Sequence, residues 1–250
     1  MFLLKGARML IACWSVKGGA GTTVVAAALA VLLARAAPHG VLLVDLGGDA
    51  AALFGHDPPA QGVTDWLGAG PAVSPDSLRA LEMAAGAGVQ LLGPGSVLSE
   101  AAPLLETPSQ SIHKSASAEG NRCRCRDGDL RRLVEVLEAD TRPIVVDMGP
   151  AYNPLGSCDA VHKAATKSIL VIRPCYLAVR RAVSGNRRPS AVVVIDEPGR
   201  ALRIDDIEEV LGVPVCARID LDPAVARSVD SGLFGSRLPR SLERGLRHVA

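Results

Sequence analysis

The chain reads Cys13-Trp14-Ser15-Val16-Lys17-Gly18-Gly19-Ala20-Gly21-Thr22-Thr23 between two apolar segments, residues 10–14 and 24–37. A short apolar run, a glycine-rich turn and a long apolar run are typical of a strand, a phosphate-binding loop and a helix. Glycines let backbone N–H groups approach phosphate oxygens, and a helix adds unpaired N–H groups at the positive end of its dipole. The stretch therefore predicts a nucleotide site. Its predicted contacts are Lys17, Gly18, Gly19, Ala20, Gly21, Thr22 and Thr23.

The loop departs from the ordinary motif at one position. In that motif a lysine precedes the hydroxyl residue and reaches the β- and γ-phosphates. Thr22 stands there in this chain, and a lysine occurs five residues earlier, at Lys17. Because a hydrogen bond to a charged group contributes about 1.5–3 kcal/mol, its loss weakens phosphate binding without abolishing it. We expect nucleotide binding with at most slow hydrolysis.

Two carboxylates follow apolar segments elsewhere in the chain. Asp45 ends the run 41–44, and Asp147 ends the run 143–146. The carboxyl ends of parallel strands form the ligand crevice of an open α/β sheet. Thr23, Asp45 and Asp147 are therefore the predicted Mg²⁺ site.

Thr23 and Asp45 could each have a structural role instead, and so could Asp49, a neighbour of Asp45. Thr23 could instead cap the helix that follows the loop. Asp45, or Asp49 still more readily, could hold a turn or cap a helix at the strand exit.

The hydrophobic pattern predicts the fold class. Short, continuously apolar runs alternate with helical patterns, which indicates an α/β fold with a doubly wound, mostly parallel sheet and helices on both faces. The strands are predicted at 10–14, 41–44, 89–92, 144–146, 169–172, 191–195 and 213–217, and the helices at 23–37, 77–85, 129–139, 176–184, 205–211 and 223–231. A length of 250 residues fits one domain over 1–250, interrupted by a polar segment, 106–128, that is predicted to form a flexible loop.

Composition and charge limit the classes of partner that we expect the chain to bind. The formal net charge of +1 argues against binding dominated by nucleic acid electrostatics. The six cysteines form no framework of paired spacings, which favours a reducing cytoplasm, and Cys123 and Cys125 alone are too few for a zinc site. Residues 238–249 carry leucines at helical spacing. Packing on the sheet is favoured for them over binding to a membrane surface.

These motifs resemble the ParA/MinD group of P-loop ATPases, whose deviant Walker A loop reads Lys-Gly-Gly-x-Gly-Lys-Ser/Thr. Residues 17–21 match its first part, including the lysine that ordinary P-loops lack. Asp45 stands at the position of the switch I strand and Asp147 on the Walker B strand, while Arg173-Pro174 looks like a later element. Within the group, the chain is most similar to the CpaE/TadZ branch, whose loops often lack the second lysine as well. The resemblance implies the MinD-like (SIMIBI) type of P-loop NTPase fold.

The resemblance also implies a function. Members of the group use ATP and Mg²⁺ and form a homodimer across the nucleotide, in which the residue matching Lys17 reaches the partner's nucleotide. Lys17 and Asp45 are thus the candidate catalytic residues. The dimer would recruit or position an unidentified protein partner, such as pilus or secretion machinery, or act in septum-site selection or chromosome partitioning. It would be cytoplasmic, with recruitment to the inner membrane face or a cell pole as an option.

A further departure bears on hydrolysis. The second switch I aspartate of MinD-like proteins is replaced here by Gly47. Two alternatives therefore stay open. One is a non-hydrolysing dimeric scaffold with a degenerate nucleotide site. The other is a nucleotide-dependent DNA binder of the ParA type, which the lack of an obvious basic surface disfavours.

Overall fold

The buried apolar runs form the strands of one sheet. The computed structural model describes residues 8–95, 127–151 and 159–250. The strands are β1 Leu10–Ser15, β2 Val41–Asp45, β3 Met83–Gly86, β4 Val89–Leu92, β5 Ile144–Pro150, β6 Lys167–Ile172, β7 Ala191–Asp196 and β8 Val215–Asp220. Their order in the sheet is β3-β4-β2-β5-β1-β6-β7-β8, and every neighbouring pair is parallel except β3 and β4. The centre of the sheet thus holds β2, β5 and β1.

Helices cover both faces of this sheet. They are α1 Thr22–Ala34, α2 Ala50–Leu53, α3 Val63–Gly68, α4 Pro75–Arg79, α5 Asp127–Glu138, α6 Asp159–Ala164, α7 Tyr176–Ser184, α8 Ile204–Leu211, α9 Pro223–Asp230 and α10 Arg240–Leu246. Successive strand residues point to opposite faces, so β1 contributes to two cores. Ile11 and Cys13 pack with α1 and α10, whereas Ala12 and Trp14 pack with α5, α7 and α8. The predicted doubly wound α/β class is confirmed.

The predicted helix at 77–85 is wrong in its second half. The helix α4 ends at Arg79, and β3 pairs antiparallel with β4. The turn between these strands has positive φ at three successive residues, Gly86 (89°), Ala87 (51°) and Gly88 (78°). Pairing across this hairpin satisfies the backbone groups along the edge of β4, an influence that local helical spacing does not contain.

Other predicted elements are present with shifted or additional bounds. The last strand begins at Val215 rather than at residue 213. The helix predicted at 129–139 begins at Asp127, so the last two residues of the predicted 106–128 loop are helical. The rest of that loop, with Cys123 and Cys125, lies outside the described residues. Three helices of the described residues were not predicted, α2, α3 and α6, whereas α10 lies within the segment 238–249 that carries leucines at helical spacing.

The C-terminal helix packs on the core. Leu242, Leu246 and Val249 are buried beside α1 and β8. A Cβ at Gly245 would lie 2.9 Å from Ile219 Cγ1, so the absence of a side chain permits the close approach of α10 to β8. The apolar side of the 238–249 segment therefore faces the protein interior, as expected if this segment packs on the sheet rather than on a membrane. In the described part of the chain, no helix combines the length and the apolar character needed to cross a bilayer.

Candidate functional site

The glycine-rich loop joins the central strand β1 to α1. Gly21 is the N-cap of α1 with φ 91°, and Gly19 has φ 73°, a region in which other residues are strained. A Cβ at Gly19 would meet nothing within 4 Å, so the loop backbone is accessible from that side. The N–H groups of residues 18–21 donate to no acceptor in the described chain. The loop therefore presents free donors together with a helix N-terminus, the arrangement that binds phosphate.

The side chains of the loop differ in exposure. Lys17 is exposed and forms no ion pair with the described residues, while its carbonyl oxygen accepts a hydrogen bond from Ser15 Oγ at 3.0 Å. Ala20 and Thr22 are buried, and Thr23 is half-buried in the first turn of α1. The cap alternative for Thr23 is not observed, because the residue at the N-cap is Gly21 and no side chain caps this helix. Lys17 is thus the loop's free cation.

Asp45 and Asp147 lie side by side at the ligand edge of the sheet. They are register partners on the parallel strands β2 and β5, and the N–H of Leu46 donates to the Asp147 carbonyl oxygen at 2.8 Å. Both residues are almost fully buried, with exposures of 1% and 0%. The sheet brings together two carboxylates that are 102 residues apart in the sequence.

Asp45 has three hydrogen-bond donors of its own. Its Oδ1 accepts from the N–H groups of Gly47 (2.9 Å) and Gly48 (2.7 Å), and its Oδ2 accepts from that of Ala50 (2.8 Å). Burial raises the pKa of Asp45, and these three bonds oppose the shift. Asp49 occupies the N-cap position of α2 but makes no side-chain cap bond. The capping role favoured for Asp49 therefore belongs to Asp45.

Asp147 has an unsatisfied carboxylate oxygen. Its Oδ1 accepts from the Gly149 N–H at 2.9 Å, whereas Oδ2 is buried and has no hydrogen-bond partner in the described chain. Burial and then the charge of Asp45 raise the pKa of Asp147 to about 7, against the opposing effects of the Thr23 hydroxyl and the Gly149 N–H. A buried acceptor without a donor is costly, and so is a second negative charge beside it.

Gly47 occupies the space between the two carboxylates. A Cβ at this position would lie 3.2 Å from Asp147 Oδ2 and 3.4 Å from Asp45 Oδ1. A larger side chain here would crowd both oxygens, and an acidic one would add a third negative charge. The absence of a side chain at Gly47 therefore leaves space beside these two buried carboxylates.

These residues fit a Mg²⁺ ion. A cation at Asp147 Oδ2 would satisfy the orphaned acceptor and reduce the repulsion between the carboxylates. The described residues hold no cluster of three or more His, Cys, Asp or Glu side chains that could bind a metal ion by themselves. That pattern suits Mg²⁺, which is usually bound through one or two carboxylates, waters and substrate phosphates. Thr23 and Asp147 are the residues best placed to hold it.

A cleft of about 230 Å³ adjoins the loop. Residues 16–20 form one side, and the end of β6 forms another. Three further residues line it, Arg173, Cys175 and Arg200; the sequence analysis noted Arg173 as part of a family-like element but assigned none of the three to the site. Arg173 directly follows a predicted strand, a position at the ligand edge that could have identified it.

Sequence comparison identifies the domain. The family model of the CobQ/CobB/MinD/ParA nucleotide binding domain matches residues 11–234. The chain belongs to this family. The match begins in β1 and contains the glycine-rich loop, Asp45 and Asp147. No curated protein sequence matches the chain.

Solved structures share the fold of this family member. A ParA family ATPase from Chlorobium tepidum TLS is 19% identical, with 96% of each chain covered and a TM-score of 0.72. The septum site-determining protein MinD complexed with Mg-ADP, from Pyrococcus horikoshii OT3, is 17% identical (95% and 92% covered, TM-score 0.68). A MinC:MinD cell division protein complex from Aquifex aeolicus gives 20% identity (90% and 86% covered, TM-score 0.63). The resemblance to the ParA/MinD group is confirmed, and the assignment to the CpaE/TadZ branch stays a prediction.

Proposed function

We propose that this protein is an ATP-dependent molecular switch. It binds Mg-ATP at the β1–α1 loop, dimerises across the nucleotide through Lys17, and in that state recruits or positions a protein partner. Its hydrolysis is slow. The CpaE/TadZ-like role, the localisation of pilus or secretion machinery, is the form of this function that the missing second lysine favours; septum-site selection and chromosome partitioning are the others. The place of action is the cytoplasm or the inner membrane face.

The unsatisfied Asp147 Oδ2 is the observation that carries the proposal. It lies in a carboxylate pair at the carboxyl ends of two central strands, near the Thr23 hydroxyl. The adjoining loop presents unpaired N–H groups. Anionic and cationic groups are thus arranged to hold a phosphate and its metal ion together. When bound, Mg²⁺ neutralises phosphate charge, and Asp147 and Thr23 orient it.

The proposed dimer rests on Lys17. This lysine is exposed beside the loop and has no carboxylate partner in the described chain. A flexible ammonium group is suited to a phosphate that it approaches from outside the subunit. The Pyrococcus horikoshii MinD structure contains Mg-ADP, and the Aquifex aeolicus structure is a MinC:MinD complex, which supports this kind of ligand and this kind of partner.

Slow hydrolysis follows from three features of the site. Thr22 carries no charge toward the phosphates. Asp45 is engaged by three backbone N–H groups in holding the β2–α2 turn, which limits its freedom to act on water. Gly47 supplies no carboxylate. The same features favour a second candidate function, a dimeric scaffold in which the bound nucleotide is not hydrolysed.

The test combines ATP binding, turnover and oligomeric state. Calorimetry and analytical ultracentrifugation with Mg-ATP would compare wild type, Lys17→Ala and Thr22→Lys. Lys163→Ala, an exposed lysine of α6, is the matched control. We expect wild type and the control to bind ATP and dimerise, Lys17→Ala to bind ATP but remain monomeric, and Thr22→Lys to hydrolyse ATP faster.

Each contrary outcome overturns a defined part of the proposal. If wild type binds no Mg-ATP, the switch is wrong and only a nucleotide-free scaffold remains. A Lys17→Ala protein that still dimerises with ATP removes the cross-dimer role. If turnover is zero in every variant, the non-hydrolysing scaffold replaces the slow ATPase. Retention of ATP-bound protein on DNA at physiological salt would favour the ParA-type DNA binder instead.

A further inference from the structure

A second basic side chain lies beside the glycine-rich loop. Arg173 directly follows β6, the strand that pairs with β1, and the register places Trp14 opposite Leu170. The segments that leave these two strands are therefore neighbours at the ligand edge of the sheet. Arg173 accordingly lines the same cleft as Lys17, Gly18 and Gly19.

Within the described part of the chain, Arg173 has no hydrogen-bond or ion-pair partner that explains its position. Its Nε is buried and makes no hydrogen bond, and its guanidinium forms no ion pair with the described residues. The neighbouring Arg200 differs, because its Nε and Nη2 both donate to Glu197 Oε2. Buried donors in proteins are nearly always satisfied, and an unpaired charged donor is costly. The arrangement indicates an acceptor that is not part of the described chain.

The charges around the cleft favour an anionic acceptor. Lys17, Arg173 and Arg200 line the same cleft, and the charges of all three act on the carboxylate of Glu197. The pKa of this carboxyl group is lowered first by the Arg200 hydrogen bond and also by the charges of Arg173 and Lys17. Since Arg200 and Glu197 form an ion pair, Lys17 and Arg173 remain as cations without an ion-pair partner among the described residues.

We propose that Arg173 binds the phosphate groups of the nucleotide and supplies the positive charge that Thr22 does not. The inference rests on the proposed nucleotide-binding function and adds a residue to it. A guanidinium donates several N–H groups in a planar fork that matches phosphate oxygens. The phosphate chain would thus contact the loop N–H groups, Lys17 and Arg173, so the second lysine of the motif becomes dispensable for binding.

The experiment measures the Kd for Mg-ATP in Arg173→Ala, Arg173→Lys and wild type. Arg180→Ala is the matched control, because Arg180 is an exposed arginine of α7 that does not line the cleft. We expect Arg173→Ala to bind about tenfold or more weakly, as for a lost hydrogen bond to a charged group. Arg173→Lys should lie between, since it keeps the charge and loses the fork. Arg180→Ala should match wild type.

A stability measurement accompanies binding. Without nucleotide, Arg173→Ala should melt at the wild-type temperature or higher, because Arg173 makes no hydrogen bond or ion pair with the described residues that would be lost. With Mg-ATP, its rise in Tm should be smaller than that of wild type. Arg173→Gln repeats both measurements if the alanine variant does not fold.

The possible failures are distinguishable. If wild type binds ATP and Arg173→Ala binds it equally well, this inference is wrong while the proposed function stands. If wild type itself binds no Mg-ATP, the proposed function fails and this inference fails with it.

Discussion

Two adjacent buried carboxylates are the main electrostatic feature at the level of single residues. Asp45 is stabilised by three backbone N–H groups, whereas Asp147 has one bonded oxygen and one without a partner. The two residues therefore differ in hydrogen bonding: Asp45 holds the turn after β2, whereas Asp147 retains one oxygen without a donor among the described residues. The raised pKa of Asp147 reflects the energetic cost of ionising a buried carboxyl group beside Asp45.

This arrangement predicts the pH dependence of stability without metal. The pKa of Asp147 is raised from 3.8 to about 7, so between these pH values the folded state binds more protons than the unfolded state. The free energy of unfolding therefore falls as pH rises through this window, by at most about 1.4 kcal/mol per pH unit from this group, and is constant above it. Denaturant unfolding from pH 4 to pH 8 would measure the slope.

Asp147→Asn should remove that slope and stabilise the metal-free protein at pH 8. It should also reduce the rise in Tm that Mg-ATP produces in wild type, because the anionic oxygen for the metal ion is lost. Asp57→Asn, at an exposed position without a hydrogen bond or ion pair among the described residues, is the control and should change neither quantity. Equal slopes for wild type and Asp147→Asn would show that this carboxylate is already ionised in the folded protein at pH 4.

At the level of elements, a partly buried ion cluster links the β3 edge to the start of β5. Arg142 donates to both carboxylate oxygens of Glu82 at 2.8 Å and to Asp140 Oδ2 at 2.7 Å. The three side chains are only 16%, 11% and 8% exposed. Because Glu82 directly precedes β3, the cluster holds in place the strand that the helical pattern of 77–85 did not predict.

Arg142→Ala should therefore destabilise the protein. Removing the shared cation leaves two partly buried carboxylates without their partner. Breaking a fully buried pair costs about 3–5 kcal/mol, and because these groups are partly solvated we expect a smaller loss, about 1–3 kcal/mol. Denaturant unfolding at pH 7 measures the effect. Arg79→Ala is the control, since Arg79 is 55% exposed and lies 3.9 Å from Asp76, and a surface pair of this kind contributes about 0–1 kcal/mol. Comparable losses for the two variants would rule out the role given to Arg142.

At the level of the whole molecule, the C-terminal helix completes one of the two cores. Leu242 and Leu246 are 1% and 0% exposed, and α10 contacts both α1 and β8. The same α1 begins at the glycine-rich loop. The end of the chain is thus packed against the helix whose N-terminus faces the proposed nucleotide. Its apolar residues are used in the fold rather than presented at the surface.

Leu246→Ala should cost about 2–5 kcal/mol of unfolding free energy, as for other large-to-small changes in a core. Leu233→Ala is the control, because Leu233 is 49% exposed and should change stability by about 0.5 kcal/mol or less. Co-sedimentation with anionic vesicles tests the membrane alternative. Tight vesicle binding by wild type that Leu246→Ala abolishes without loss of stability would show that this helix leaves the core.

Much of the fold was predictable because its signals are local. Continuous apolar runs predict buried parallel strands, and the position of Lys17 to Thr23 between a strand and a helix predicts the loop. Asp45 and Asp147 were predictable as site residues for the same reason, since each ends such a run. The β3 strand was not, because it forms by pairing with a neighbouring edge. The helical spacing of 238–249 predicted α10, but the elements on which it packs are distant in the sequence and only the structure identifies them.

The amino-acid order alone thus determined the fold class, the loop and the identity of the carboxylates, because glycine spacing and apolar runs act within a few residues. Tertiary structure decided how these groups are used. It paired Asp45 with Asp147, left one oxygen of Asp147 unsatisfied, and brought Arg173 beside Lys17. The pKa values and contacts of these residues depend on burial and on the register between distant strands. Burial and register exist only once the sheet has formed.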